Sequence, residues 1–316
     1  MKILVSGSLA FDRIMNFPGA FKDHILPDKI HVLSVSFAVD SLRENFGGTA
    51  GNIAYNLNLL KENAIILASA GKDFPSYNLW LEDHGVDTRL IAVHDDNFTA
   101  SAHIITDQDN NQITAFHPGA MKHATRVDIE AIRRKEKELF GIIVAGNTED
   151  MRFYAGEYQR LNIPYIYDPA QQIPVIDSEQ LKFAIQGATV LIGNDYEIEL
   201  ILQKTGLQKN DILKNTKYLV TTKGEKGSLI ESADSAVEIP VAKPGEMKDP
   251  TGAGDAYRAG FIKGLLGNYP VEQIGRLAAL TAVYPIEYYG TQEHEYTTAE
   301  FCQRYKENFE NSIDIA

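Results

Sequence analysis

The segment DPTGAGDAYRAGF, Asp249 to Phe261, decides how the chain is read. A small-residue turn runs into a helical stretch in which Phe261 and Leu265 share one face. Gly252, Ala253 and Gly254 let the backbone come close to a ligand. The first N–H groups of the helix then point at one spot without partners of their own, and such a spot attracts anions. Yet Asp255 follows the last glycine directly. A carboxylate beside an anion hole makes sense when both must meet a third group lying between them. A connecting turn without a ligand is the plain alternative.

The surrounding chain sets limits. Its 316 residues carry a formal net charge of −13, which argues against a nucleic-acid backbone or an anionic membrane as main partner. The single cysteine, Cys302, rules out an internal disulfide and suits a reducing compartment, so a cytoplasmic location is expected. No apolar run is long enough to span a membrane. The opening MKILVSGSLAFDR is interrupted by Gly7, Asp12 and Arg13 and reads as a first β-strand rather than a signal peptide.

Short apolar runs at 2–6, 64–70, 141–146, 164–168, 188–193 and 217–222 read as buried strands. Helices are predicted over 51–60, 75–84, 128–139, 150–161, 178–186, 195–204, 252–266, 271–284 and 298–309. This alternation predicts a mostly parallel sheet covered on both faces. Residues 13–46 and 88–117 break the rhythm with alternating segments such as IMNF, HVLSVSF, ASAHIIT and QITAF. The last two flank DQDNNQ, a hairpin turn signal. A small antiparallel sheet is expected there, serving as a lid, a dimer contact or both; an extension of the main sheet is the alternative.

The string at 249–261 resembles the C-terminal signature of the ribokinase-like (PfkB-type) family of sugar and nucleoside kinases. FGGTAGNIAYNLNLL (46–60) is similar to that family's N-terminal motif, and the resemblance runs from residue 3 to about 300. It implies a ribokinase-like three-layer α/β/α domain formed by 1–12, 47–87 and 118–316, with a small antiparallel β lid from 13–46 and 88–117. It also implies that Gly252, Ala253 and Gly254 hold phosphoryl oxygens while Asp255 takes the proton from the acceptor hydroxyl. In-line phosphoryl transfer depends on such positioning.

On the acceptor side the resemblance implies close approach of a polyol to Gly47 and Gly48, hydroxyl binding by Asn52, and a grip on paired hydroxyls by Asp12 in SGSLAFD (6–12). Ser8 stands where some nucleoside kinases carry Asn. Taken singly, Asp12 reads as a turn residue, and Asn52 as a capping or solvent-facing one. NDYE (194–197) resembles the family's Asn-x-x-Glu element. There Asn194 serves the nucleotide and Glu197 serves Mg2+ through water; alone it is a polar helix start. TTKGEKGS (221–228) is similar to the strand and turn along ATP, with Thr222, Lys223, Gly224 and Gly227 as contacts. EYYGTQEH (287–294) resembles the late loop near the adenine and a monovalent-cation site for K+, with Gly290 aligned.

Competing motifs are absent: no GxxxxGK[ST], no GxGxxG after the first strand, no HExxH and no CxxC. His117 belongs either near the site or to the lid loop. Phe17, Phe37, Phe46, Phe98 and Phe116 either form a slot for a base or pack as the lid's own core. FAVDSLRENFGGTAGN (37–52) and ITDQDNNQITAFHPGAM (105–121) look most like bacterial adenosine-kinase-like members. The expected activity is therefore ATP-dependent transfer of the γ-phosphoryl group to the 5′-hydroxyl of a nucleoside, a purine nucleoside such as adenosine, with Phe116 among the substrate-binding residues. A ribokinase- or fructokinase-type sugar kinase and an inactive ligand-sensing relative are the alternatives. The expected partners are the acceptor, ATP and a second copy of the chain through the lid.

Overall fold

The computed structural model describes residues 1–109 and 111–315. β1 (Lys2–Ser6) leads to β2 (Ala10–Asn16) and, beyond two 3-10 turns, to β3 (Ser41–Gly47). Helix α1 (Thr49–Leu59) returns the chain to β4 (Ala64–Leu67). β5 (Ser69–Gly71), α2 (Pro75–Asp83) and β6 (Ala92–His94) precede the hairpin β7 (Ala100–Thr106) and β8 (Gln112–His117). Regular alternation then follows: α3 (Ile129–Lys135), β9 (Leu139–Ile143), α4 (Thr148–Leu161), β10 (Tyr165–Tyr167), α5 (Ser178–Gly187), β11 (Val190–Asn194), α6 (Asp195–Thr205), α7 (Lys209–Leu213) and β12 (Tyr218–Thr222). The hairpin β13 (Ser228–Glu231) and β14 (Ala236–Ile239) precedes α8 (Ala253–Leu266), α9 (Val271–Thr281), α10 (Val283–Ile286) and α11 (Thr298–Phe309).

The main sheet has the order β14-β13-β12-β11-β10-β9-β1-β4. It is parallel from β12 to β4, with the antiparallel hairpin β13–β14 added at one edge. Because side chains alternate along a strand, each strand feeds two cores. Ile3, Val5, Ile142, Val144, Ile192 and Val220 face α1, α8, α9 and α11. Leu4, Ile143, Tyr167, Leu191 and Leu219 face α3 to α7. This gives the expected three-layer α/β/α arrangement. Among the described residues, no helix is long and apolar enough to cross a membrane.

Several element boundaries depart from the sequence reading. The run 64–70 breaks at Ala68, so β4 joins the main sheet while β5 pairs with β6 in a separate two-stranded sheet. β9 begins at Leu139, two residues before the apolar run, and α3 stops at Lys135 to make room for it. The hairpin β13–β14 was not anticipated, and the helix expected over 271–284 divides into α9 and α10.

A second sheet has the order β3-β2-β7-β8. Its outer pairs are antiparallel, as the alternating patterns predict, while β2 and β7 run parallel in the middle. β1 ends at Ser6, so Asp12 lies inside β2 rather than at the end of the first strand. Asn110, in the DQDNNQ turn signal, lies outside the described residues.

β1 has β4 on one side and β9 on the other, so connections leave it in both directions. A crevice opens beyond the carboxyl ends of strands at such a reversal, and ligands of open α/β sheets bind there. Thr49 at the start of α1 bridges it: its Oγ1 donates to Ala145 O after β9 (2.8 Å) and lies 3.1 Å from Ser8 Oγ after β1.

Candidate active site

Glycine at position 252 is required by backbone geometry: it caps α8 at φ +85°, in the left-handed region. The first intrahelical bond runs from Ala256 N–H to Gly252 O, 3.0 Å, so the amides of Ala253, Gly254 and Asp255 precede it. Asp255 is the third helical residue. A carboxylate there ordinarily returns to the capping residue's amide. Glu197 does so on α6: its Oε2 accepts from Asn194 N–H (2.7 Å) while Asn194 Oδ1 accepts from Glu197 N–H (2.8 Å). Asp255 does not, because Asn52 Nδ2 donates to its Oδ2 at 2.8 Å. The carboxylate is drawn aside, and the amides at the helix N-terminus stay clear.

Burial pushes the Asp255 carboxyl up to about 6, against the hydrogen bond from Asn52 and the charge of Arg258, with Asp168 and Asp12 adding to the rise. Burial, reinforced by Asp249, also lifts Asp12 to about 6. Asp12 packs directly on Gly47, where any side chain would collide with its carboxylate.

A cavity of about 430 Å³ collects most of the expected acceptor residues. Ser8, Asp12, Gly48, Asn52, Phe116 and Asp255 line it, beside Met121, Ala145, Gln171, Gln172 and Thr251. Two of the expected residues have additional work inside the protein. Ser8 Oγ accepts from Thr49 N–H (3.1 Å) at the start of α1. The Asn52 amide oxygen accepts from Thr291 Oγ1 (2.7 Å) and Gln292 Nε2 (3.0 Å). Of the five phenylalanines, only Phe116, 53% exposed, lines the cavity. Phe17 and Phe37 pack with Phe21 and His24, Phe46 stacks on Tyr77, and Phe98 lies beneath Lys72 Nζ. His117 is exposed at the end of β8, outside the cavity.

The residues expected at the nucleotide, Gly290 apart, sit along the carboxyl edge of the main sheet. Asn194 ends β11 and Thr222 ends β12. Lys223, Gly224 and Gly227 form the turn to β13, closed by Lys223 N–H to Gly227 O at 2.8 Å. Gly290 packs against Asn45 of β3 and Glu293, so its loop lies beside the small sheet. Burial raises the Glu197 carboxyl, with its bond from Asn194 and the charge of Arg258 opposing and Asp168 adding.

Arg258 and Asp168 escaped the sequence reading. Their buried ion pair, Nε to Oδ2 at 2.6 Å, stands between Asp255 and Glu197, and both carboxylates help hold Arg258 charged. A charged residue one turn after Asp255, in a helix whose one other basic residue is Lys263, was a usable signal. Asp168 follows β10 with no comparable local mark, and its Oδ1 is buried without a hydrogen-bond partner among the described residues.

Residues 10–298 match the family model described as pfkB family carbohydrate kinase. A nucleoside kinase of Methanocaldococcus jannaschii is 31% identical over 293 residues, covering 92% of each chain. The structure of Burkholderia thailandensis nucleoside kinase in complex with inosine superposes with a TM-score of 0.86 at 35% identity, covering 98% of this chain and 99% of that one. The same enzyme in complex with ADP-inosine gives 0.84 at 37% identity, covering 98% and 97%. With the match extending across nearly every element that builds the site, the chain belongs to the pfkB family of carbohydrate kinases.

Proposed function

We propose that the protein is an ATP-dependent nucleoside kinase that phosphorylates the 5′-hydroxyl of a purine nucleoside such as adenosine or inosine. The observation carrying this reading is the placement of Asp255 and Thr251, on either side of the free α8 amides, in the wall of one cavity. Asp255 accepts the proton of the hydroxyl, and the amides of Ala253, Gly254 and Asp255 stabilise the phosphoryl group in transfer. Asp12 and the second Asn52 N–H hold sugar hydroxyls, while Phe116 and Met121 offer the base an apolar surface. Nucleoside kinases among the relatives support this choice over a sugar kinase.

ATP lies along the carboxyl edge of the sheet, served by Asn194, Thr222, Lys223, Gly224 and Gly227. No cluster of three or more His, Cys, Asp or Glu able to hold a metal occurs among the described residues. That fits Mg2+, which keeps several waters and takes phosphate oxygens; Glu197 would hold it through water, with its Oε2 already bonded to Asn194. When bound, Mg2+ neutralises phosphate charge. Residues 13–46 and 88–117 act as a lid. The exposed side chains of Leu26, Ile30, Val32, Leu33 and Leu42 support a homodimer contact there. The lone cysteine supports a cytoplasmic setting.

A coupled kinase screen of adenosine, guanosine, inosine, cytidine, ribose and fructose with MgATP tests the assignment. A purine nucleoside is expected to exceed both sugars in kcat/KM by at least about tenfold, since base burial adds more than about 1.4 kcal/mol. Preference for a free sugar overturns the nucleoside reading and leaves the kinase reading in place. A higher rate in K+ than in Na+ would support a cation at the loop of residues 287–294.

A further inference from the structure

The loop after α10 reaches back across the chain to helix α1. Thr291 and Gln292 are 2% and 1% exposed, and neither needs such burial merely to connect α10 with α11. Thr291 Oγ1 donates to Asn52 Oδ1 (2.7 Å) and lies 3.0 Å from Phe46 O. Gln292 Nε2 donates to the same Asn52 oxygen (3.0 Å) and to Tyr77 OH (2.6 Å), and Tyr77 donates onward to Gly47 O (2.8 Å). A side-chain amide can face two ways, with nearly the same shape and opposite polarity. Two donors converging on Oδ1 permit only one of them here: the NH2 must face Asp255. The reverse orientation would set an amide oxygen against the carboxylate and turn the NH2 onto the Gln292 N–H, leaving Thr291 only Phe46 O and Gln292 only Tyr77 OH as acceptors.

We infer that Thr291 and Gln292 are positioning residues for phosphoryl transfer: they fix the Asn52 amide so that its N–H holds the Asp255 carboxylate ionised and turned away from the α8 N-terminus. This rests on the reading of Asp255 as the base. The chain of bonds also ties the base to Gly47, beside the turn that the acceptor approaches. The other charged groups acting on Asp255 are Arg258 on its own helix, Asp168 after β10 and Asp12 on β2. None of them is altered by changes at 291 or 292.

The test compares Thr291→Val with Gln292→Met, the double variant and Thr291→Ser, using the best nucleoside from the screen and MgATP. Removing a hydrogen bond made to the charged form raises the base's pKa, so the acid limb of the kcat–pH profile should move up by about one pH unit in the double variant. At the pH of the parent limb's midpoint, kcat should then fall about fivefold, while the KM for ATP changes less than about twofold. Thr291→Ser, which restores the hydroxyl, should return the limb to its original place. Should the double variant fail to fold, Thr291→Val alone decides, with a smaller shift in the same direction. An unmoved limb in folded variants, with kcat within about twofold of normal, overturns the inference. Asp255→Asn separates this from the underlying reading: loss of activity there with unmoved limbs in the others leaves the base and removes the positioning role. Near-normal kcat in Asp255→Asn overturns both.

Discussion

Asp12 shows how a site residue trades stability for function. Burial and the nearby Asp249 raise its carboxyl from 3.8 to about 6. Between those values the folded chain retains a proton that the unfolded chain has released, so this group's contribution to stability is lost as pH rises through the window. Asp12→Asn removes that penalty. The variant should be more stable than the parent by on the order of 2 kcal/mol at pH 7.5, with the advantage vanishing below about pH 4. Its acceptor KM should rise about tenfold with a smaller change in kcat, because the lost grip acts in ground and transition states alike. Thermal melts at the two pH values and steady-state kinetics check the pair of effects; an unaltered acceptor KM returns Asp12 to the role of a strand residue. Asp255 was visible in the sequence because it follows the small-residue turn directly, whereas Asp12, between Phe11 and Arg13, was singled out only by the resemblance of SGSLAFD to the family. Thr291 and Gln292 were not. They lie 239 and 240 residues from Asn52, and nothing in the local string TQ reports a partner so distant.

Two helices test how far a glycine's effect depends on what its element packs against. In α4, Gly156 has, among the described residues, only the Phe183 ring nearby, at 4.0 Å from where a Cβ would stand. In α8, Gly260 meets Thr281 Oγ1, Ala278 and Leu277, because α8 and α9 approach closely along this line. Gly156→Ala should stabilise the protein by about 0.5–1 kcal/mol through helix propensity. Gly260→Ala should destabilise it by about 1–3 kcal/mol, since overpacking outweighs the same propensity gain. Urea unfolding of both variants measures this; equal signs would mean that the α8–α9 contact yields easily. Elements were legible where burial on both faces leaves an unbroken apolar run, as in β4 and β11. The hairpin β13–β14 was illegible because SLIE and AVEI are four-residue strands at a sheet edge, too short for a period to register.

The molecule as a whole joins a three-layer body to a thinner four-stranded sheet whose β2 carries Asp12 and whose β8 carries Phe116. If that sheet closes over the acceptor, hydrogen exchange in 10–16 and 100–117 should slow by at least about threefold when nucleoside binds. Faster exchange across 26–42 on dilution would report the dimer contact. Identical exchange with and without nucleoside would make the sheet a static extension. The mostly parallel, doubly covered sheet was readable from strand–helix alternation, and the ribokinase-like arrangement from the motifs at 46–60 and 249–261. The parallel β2–β7 seam was not, because hairpin signals describe neighbours in sequence, and these strands are brought together only by the folded body. The loop holding Asn52 has one more consequence, in the order of synthesis. Strands β1 to β14 and helix α8 are all made before Thr291 and Gln292. A nascent chain halted on the ribosome with residues 1–286 outside the exit tunnel could complete the main sheet and present Asp255, yet would lack the two donors that orient Asn52. Full catalytic competence therefore waits for the loop after α10, well behind the sheet and the base that it serves.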